Sequence, residues 1–266
     1  MKIIQITDTH LLPPGEALHG LDPARQLEGA ISDICERHED ADLLVVTGDL
    51  CNDGDPAAYA VLRDILSPVR CDIRLLLGNH DARPAFRAAF PDHPVDASGF
   101  VQDYIDTRHG RLLFLDSHEP EWIGGRYCEA RAQWLRDHLA DAGDQPVTVF
   151  IHHPPVPDGL AHFAHIGMHD AGVVLSALAS HAPGVRHIVF GHIHVPLSGT
   201  SAEGIAYSSG QAMSHRFITD ITDPAPWWTG GNPCYRIIEI DDLGFRAYSA
   251  EVGQSPMARA QLCEGP

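Results

Sequence analysis

Five short polar clusters, built mainly from Asp, Asn and His, each follow an apolar run: Asp8-Thr9-His10, Gly48-Asp49, Gly78-Asn79-His80-Asp81, His152-His153 and Gly191-His192-Ile193-His194. Carboxylate and amide oxygens beside imidazoles are the ligand set that holds paired cations while leaving positions open for water and substrate. Taken singly, each cluster also fits a turn or a helix cap. Together, each where a strand is predicted to end, they predict a dinuclear metal hydrolase.

Residue type and spacing assign roles within the clusters. Asp8 and His10 lie two apart at a strand end, so both side chains can lean toward one point. Gly48 permits a tight turn before Asp49, whose two carboxylate oxygens can bridge two cations; alone, Asp49 would read as a turn residue. Asn79 offers a neutral oxygen ligand, whereas an amide buried without several partners is costly. His80 can donate to a phosphoryl oxygen or protonate a leaving alkoxide without holding metal, and Asp81 either orients His80 or fixes the turn. Pro154-Pro155 stops the strand after His152-His153. Neighbours on an extended chain face opposite ways, so one of this pair is expected to ligate, and His152 is the choice. His192 and His194 share a face, which turns Ile193 into the core. Among 18 histidines, His162, His165 and His169 sit in a loop that either lines a substrate entrance or lies in solvent. His38, His93, His109, His118, His138, His181 and His187 follow no convergent pattern and read as surface or packing residues.

The elements that must position these clusters alternate between strand and helix. Apolar β-rich runs at residues 2–7, 43–47, 73–77, 112–115, 147–151 and 187–190 predict strands. Asp22-Pro23 and Asp55-Pro56 each start a helix with an N-cap and a first-turn proline, and further helices are predicted over 129–140 and 171–180. Such alternation implies an α/β fold whose ligands gather beyond the carboxyl ends of the strands, where every cluster falls. After residue 194 the alternating runs at 195–209, 235–240 and 245–250 predict an antiparallel second sheet layer. The segment 214–233, rich in Pro and Gly, predicts a long loop whose Trp227 and Trp228 pack on a partner subunit or overhang the site.

Composition narrows the class of partner. The chain has 266 residues, 44% hydrophobic and 20% charged, ordinary for a folded protein. A net charge of −18 argues against a long nucleic acid lying across the surface, but not against a small phosphorylated substrate, since bound metals reverse the local field. No apolar stretch is long enough to cross a membrane, and the first residues enter strand-like sequence without signal-peptide features. Six scattered cysteines without a Cys-x-x-Cys pair fit a reduced, cytoplasmic protein; a Cys234–Cys263 contact is the one disulfide considered.

The order of the clusters resembles the calcineurin-like metallophosphoesterase superfamily, over residues 8–194, about seventy per cent of the chain. Within it, the stretch from Gly48-Asp49-Leu50-Cys51-Asn52 to Tyr59, and His152-His153-Pro154-Pro155, are similar to class III cyclic-nucleotide phosphodiesterases and bacterial glycerophosphodiesterases. The resemblance implies a four-layer αββα sandwich with a C-terminal β-rich extension: one domain over 1–266, with roughly 210–266 a specificity or oligomerisation segment. It implies that Asp8, His10, Asp49 and His194 surround one metal, and that Asp49 bridges to a second held also by Asn79, His152 and His192. His80 would then stand over the phosphoryl group, and His215 resembles a pocket histidine of the glycerophosphodiesterase relatives. The protein Ser/Thr phosphatase branch usually carries an arginine soon after the Gly-Asp cluster, and residues 50–56 hold none.

The reaction expected is in-line hydrolysis of a small phosphodiester, such as 3′,5′-cyclic AMP or a glycerophosphodiester, by a metal-bridging hydroxide. Mixed nitrogen and oxygen ligands without thiolate suit two ions drawn from Fe, Mn, Zn or Co. The rivals are a phosphomonoesterase, a nucleotide-pyrophosphate hydrolase and a scaffold of the same fold without turnover. The resemblance also implies a homodimer or larger homo-oligomer, with no membrane or long nucleic acid as partner.

Overall fold

A computed structural model describes residues 1–254, and its first strands and helices fall where periodicity places them. Strands β1 (Lys2–Ile6), β2 (Leu43–Thr47) and β3 (Asp72–Leu76) pair in parallel. Helices α1 (Pro23–Arg37) and α2 (Pro56–Leu66) connect them. Both helices start on the Asp-Pro signal: the Asp22 carboxylate accepts from the Arg25 N–H at 3.1 Å, and that of Asp55 from the Ala57 N–H at 2.7 Å. A short helix α3 (Arg83–Ala89) and strand β4 (Asp103–Thr107) follow. Neither is expected from the sequence, because α3 has only seven residues and β4 is a half-exposed edge strand without an apolar run.

The second half repeats the theme. Strands β5 (Gly110–Leu115), β6 (Val147–Ile151) and β7 (Val185–Phe190) are parallel, with helices α4 (Glu129–Asp141) and α5 (Ala171–Ala179) between them. Beyond β7 come β8 (Leu197–Thr200), β9 (Ala206–Ser209), a small hairpin of β10 (Arg216–Phe217) and β11 (Trp228–Thr229), then β12 (Cys234–Asp241) and β13 (Gly244–Glu251).

Two large sheets result, ordered β13-β12-β1-β2-β3 and β4-β5-β6-β7-β9-β8. Helices α1 to α3 cover the first, where Ile4, Ile6, Leu44 and Val46 meet Leu27, Ile31, Leu62 and Phe86. Helices α4 and α5 cover the second, where Leu113, Val149 and Ile188 meet Leu135, Leu139 and Leu178. The alternate residues of the same strands, among them Ile3, Val45, Phe114, Phe150 and Val189, pack between the sheets. This is a four-layer αββα sandwich. It explains why β1, β2, β5 and β6 read as apolar runs, since each is buried on both faces.

The C-terminal strands do not form a layer of their own, which corrects the sequence expectation. Strands β8 and β9 extend the second sheet, with β9 parallel to β7, while β12 and β13 extend the first through antiparallel pairing of β12 with β1. Alternation along a strand reports that one face is buried but not which sheet receives the edge. Cys263 and the last dozen residues lie outside the described segment, so the Cys234–Cys263 expectation falls outside it too. Among the described residues no helix is long and apolar enough to cross a membrane.

Candidate metal centre

Every cluster follows the carboxyl end of a strand, and in three of the five the chain turns through an uncommon conformation. Asp8, His10, Asp49, His192 and His194 all have positive φ, between 45° and 70°. Left-handed backbone costs a non-glycine residue on the order of 1 kcal/mol or more, so its repetition around one point marks a site rather than a set of ordinary turns. Glycine is required alongside. A Cβ on Gly78 would stand 2.6 Å from His152 Nε2 and collide with the Asp49 carboxylate, and one on Gly48 would enter the His152 ring.

The ligand atoms of Asp8, His10, Asp49 and His194 all lie within 4.8 Å of one another, and every one of these residues is buried. Asp49 Oδ2 stands 3.5 Å from His10 Nε2 and 3.3 Å from His152 Nε2, so this carboxylate lies between the two histidine groups. His194 Nε2 is 3.5 Å from Asp8 Oδ1, and Asp8 is fixed by the Thr7 hydroxyl at 2.6 Å and the His192 N–H at 3.1 Å. Asn79 Oδ1 meets His192 Nδ1 at 3.1 Å. His80 donates its backbone N–H to Asp49 Oδ1 at 3.0 Å, and its Nδ1 is bound to the Asn52 carbonyl at 2.7 Å. The structure therefore brings together all the residues singled out for metal, with His80 and His215 on the cavity they border.

Hydrogen bonds on the outer ring nitrogens fix how these imidazoles face inward. His152 Nδ1 donates to the Thr47 carbonyl at 2.7 Å, His194 Nδ1 to the His215 carbonyl at 2.9 Å, and His192 Nε2 to the Ile166 carbonyl at 2.9 Å. A neutral imidazole has one N–H, so the opposite nitrogen presents a lone pair to the interior. His10 Nδ1 meets Asn52 Oδ1 at 3.3 Å, which leaves His10 Nε2 and His194 Nε2 facing each other at 3.1 Å. His152 Nε2 is buried without any hydrogen-bond partner. Inward lone pairs, two buried carboxylates and an amide oxygen make a donor set that fits divalent cations, and without them His152 Nε2 has no partner.

Electrostatics favour that reading at His10, His192 and Asp49, whereas Asp8 and His152 must each give up a proton to a cation. Burial pushes the Asp8 carboxyl up and holds His10 well below its usual range, and it lowers His192 to about 3 and His215 to about 2. For Asp49, burial is outweighed by His152, His10 and His80, which keep the carboxyl well below normal. Burial likewise opposes protonation of His152, but Asp49 and Asp8 raise it to about 9. Neutral imidazoles and an ionised Asp49 are the forms a cation needs.

Several residues fall differently from their sequence reading. His153 does not turn away from His152: the rings meet at 4.7 Å, His153 also packs on His192 at 4.7 Å, and its Nδ1 pairs with Ser117 Oγ at 2.8 Å. The strand has already ended there, so alternation no longer applies. Asp81 fixes the turn and does not orient His80, because its oxygens accept from the backbone of Leu50, Cys51 and Gly78 and from the Tyr59 hydroxyl. His162 lines the cavity, whereas His165 and His169 are exposed. Trp228 overhangs the site, while Trp227 is 77% exposed. His19 and Asn52 line the cavity and were not singled out, since neither has a strand end to mark it.

Comparison with known proteins agrees with this geometry. The calcineurin-like phosphoesterase family matches residues 1–196. A probable cyclic nucleotide phosphodiesterase of Rhodopseudomonas palustris is 35% identical over 83% of this chain and 81% of its own length. A glycerophosphodiester phosphodiesterase of Enterobacter lignolyticus is 34% identical over 73% of this chain and 71% of its own. Among solved structures, a dimetal phosphatase from Danio rerio superposes with a TM-score of 0.69 at 16% identity, covering 95% of this chain and 99% of that one, and supports the fold alone. With the match spanning most of the chain and the fold and buried donor cluster in place, the protein belongs to the calcineurin-like phosphoesterase family.

Proposed function

We propose that the protein is a dinuclear metal-dependent phosphodiesterase acting on small phosphodiesters. The observation that carries this reading is the position of Asp49, one buried carboxylate within 3.5 Å of ring nitrogens from both histidine groups. In this assignment Asp8, His10, Asp49 and His194 hold one ion, and Asp49, Asn79, His152 and His192 hold the other. Bound there, Fe, Mn, Zn or Co supplies a water of lowered pKa and offsets the charge of the phosphoryl group. The chain's own residues do the rest. Asn52 locks the His80 ring through Nδ1, which leaves Nε2 as the ring nitrogen available to the substrate oxygen or the departing alcohol. Thr47, Ile166 and His215 hold the ligand rings in orientation through their carbonyls. Relatives named for cyclic nucleotides and for glycerophosphodiesters support a diester over a monoester. A cytoplasmic location and a homo-oligomeric state are part of the same proposal.

The test is turnover of bis(p-nitrophenyl) phosphate with added Mn²⁺, with and without chelator. Metal-dependent release above background is expected, and its absence would favour a scaffold that kept the fold. Asn79→Ala should lower occupancy of one site while leaving the other filled, as read by metal analysis. Two ions per chain in that variant would remove Asn79 from the ligand set.

A further inference from the structure

We infer that Asp116 is a positioning residue for the second ion, acting through Arg83 on the turn that carries Asn79 and His80. The inference rests on the dinuclear reading above and adds residues outside its ligand set. Asp116-Ser117-His118 follows the carboxyl end of β5, a further strand end beside those that supply the clusters. Arg83 opens α3, just beyond Asn79 and His80. Its Nε and Nη2 donate to Asp116 Oδ2 at 3.0 and 2.9 Å, and Nη2 also meets Oδ1 at 3.1 Å and the His118 carbonyl at 2.9 Å. Asp116 is fully buried and the Arg83 side chain is 15% exposed, so water screens this ion pair little. The planar fork of the guanidinium fixes direction as well as distance.

The pair spans the gap between the two sheets. Asn79 follows β3, the edge strand of the first sheet, whereas His152 and His192 follow β6 and β7 of the second. Asn79 must therefore meet its fellow ligands across the sandwich, and Arg83 ties its turn to the end of β5. Ser117, the next residue, grips the other side. Its Oγ accepts the His153 N–H at 3.2 Å and pairs with His153 Nδ1 at 2.8 Å, beside His152. One short segment thus holds both the Asn79 turn and the His152 turn. Asp8, by contrast, reaches the second sheet directly, by accepting the His192 N–H at 3.1 Å. Asp116 is not itself a ligand, because its oxygens also accept the Val101 N–H at 2.8 Å and the His118 N–H at 3.0 Å. Neither Asp116 nor Arg83 is among the described residues that border the cavity. Groups that hold ligands in this way typically set metal affinity by about 10- to 100-fold.

The experiment titrates Mn²⁺ into the metal-free protein and measures bound metal after equilibrium dialysis. It compares the wild type with Asp116→Asn and Arg83→Gln, each alone and combined with Asn79→Ala, and follows folding by thermal melting. Each single variant is expected to weaken binding of one ion about 10- to 100-fold and to leave the other unchanged. Combined with Asn79→Ala, neither substitution should alter the ion that remains. The rate on bis(p-nitrophenyl) phosphate should fall through kcat at limiting Mn²⁺ and return at excess, with KM unchanged. A general loss of packing would instead weaken both ions and would not recover with metal. Arg83→Gln, at a partly exposed position, gives the same reading if Asp116→Asn does not fold. Titrations that match the wild type, or an equal loss at both ions, overturn the positioning role and leave the dinuclear reading intact. A wild type that binds at most one ion overturns the dinuclear reading, and the positioning role with it.

Discussion

Asp49→Asn should abolish binding at both metal positions and reduce diester hydrolysis on the order of 10³-fold or more. The substitution keeps the side-chain shape and one oxygen, so the hydrogen bond from the His80 N–H to Oδ1 can persist. What it removes is the anionic oxygen that stands 3.3 Å from His152 Nε2 and 3.5 Å from His10 Nε2. Apart from Asp8, Asp49 supplies the only carboxylate in the proposed ligand set, so the charge facing two divalent ions is halved. The amide also turns N–H groups toward nitrogens that need a cation. Metal analysis together with bis(p-nitrophenyl) phosphate turnover checks the prediction; two ions per chain with a rate within tenfold of wild type would reject the bridging role.

The same carboxylate sets a pH dependence. In the metal-free protein Asp49 and Asp8, opposing burial, raise His152 to about 9, so near neutral pH this imidazole carries a proton that an incoming cation must displace. Apparent metal affinity should therefore rise with pH, by about tenfold per unit for one released proton, and level off near pH 9. Calorimetry in buffers of different ionisation enthalpy reads that proton directly. Asp49→Asn removes the group that raises His152, so proton release on any residual binding should diminish.

The parts of this fold and site legible in the sequence share a physical cause. Val147–Ile151 and Leu43–Thr47 are strands buried on both faces, so five consecutive β-branched, aromatic or aliphatic residues announce them without tertiary information. The Asp-Pro starts of α1 and α2 are local chemistry and are equally readable. What escapes is whatever depends on a second segment. Strand β12 joins the first sheet because its Cys234–Asp241 edge meets Lys2–Gln5, more than two hundred positions away, and no local pattern encodes that choice. His153 packs on His192 because the chain leaves β6 after Ile151, where strand alternation no longer sets the direction of its side chains. His19 shows the limit most plainly. It lies outside any strand end, and only the arrival of Trp228 from the C-terminal hairpin makes it part of the cavity wall.

His80→Ala should retain both metals and still lose about 10²- to 10³-fold in kcat, the range found when a proton donor or charge-stabilising group is removed from a reacting centre. The separation of roles follows from what His80 contributes by backbone and by side chain. Its N–H donates to Asp49 Oδ1, and alanine keeps that bond, so the carboxylate stays oriented. Its ring is exposed at the cavity and makes no hydrogen bond to Asp8 or Asp49; it pairs with the Asn52 carbonyl and packs on His10 at 4.7 Å. Deleting the ring therefore removes a group poised over the substrate without unlinking a ligand. The loss should be larger for substrates with a poorly departing alkoxide than for p-nitrophenyl esters, because a good leaving group needs little protonation. Equal losses across both would assign His80 to the phosphoryl oxygen, and unchanged turnover on both, with two metals bound, would exclude it from the chemistry.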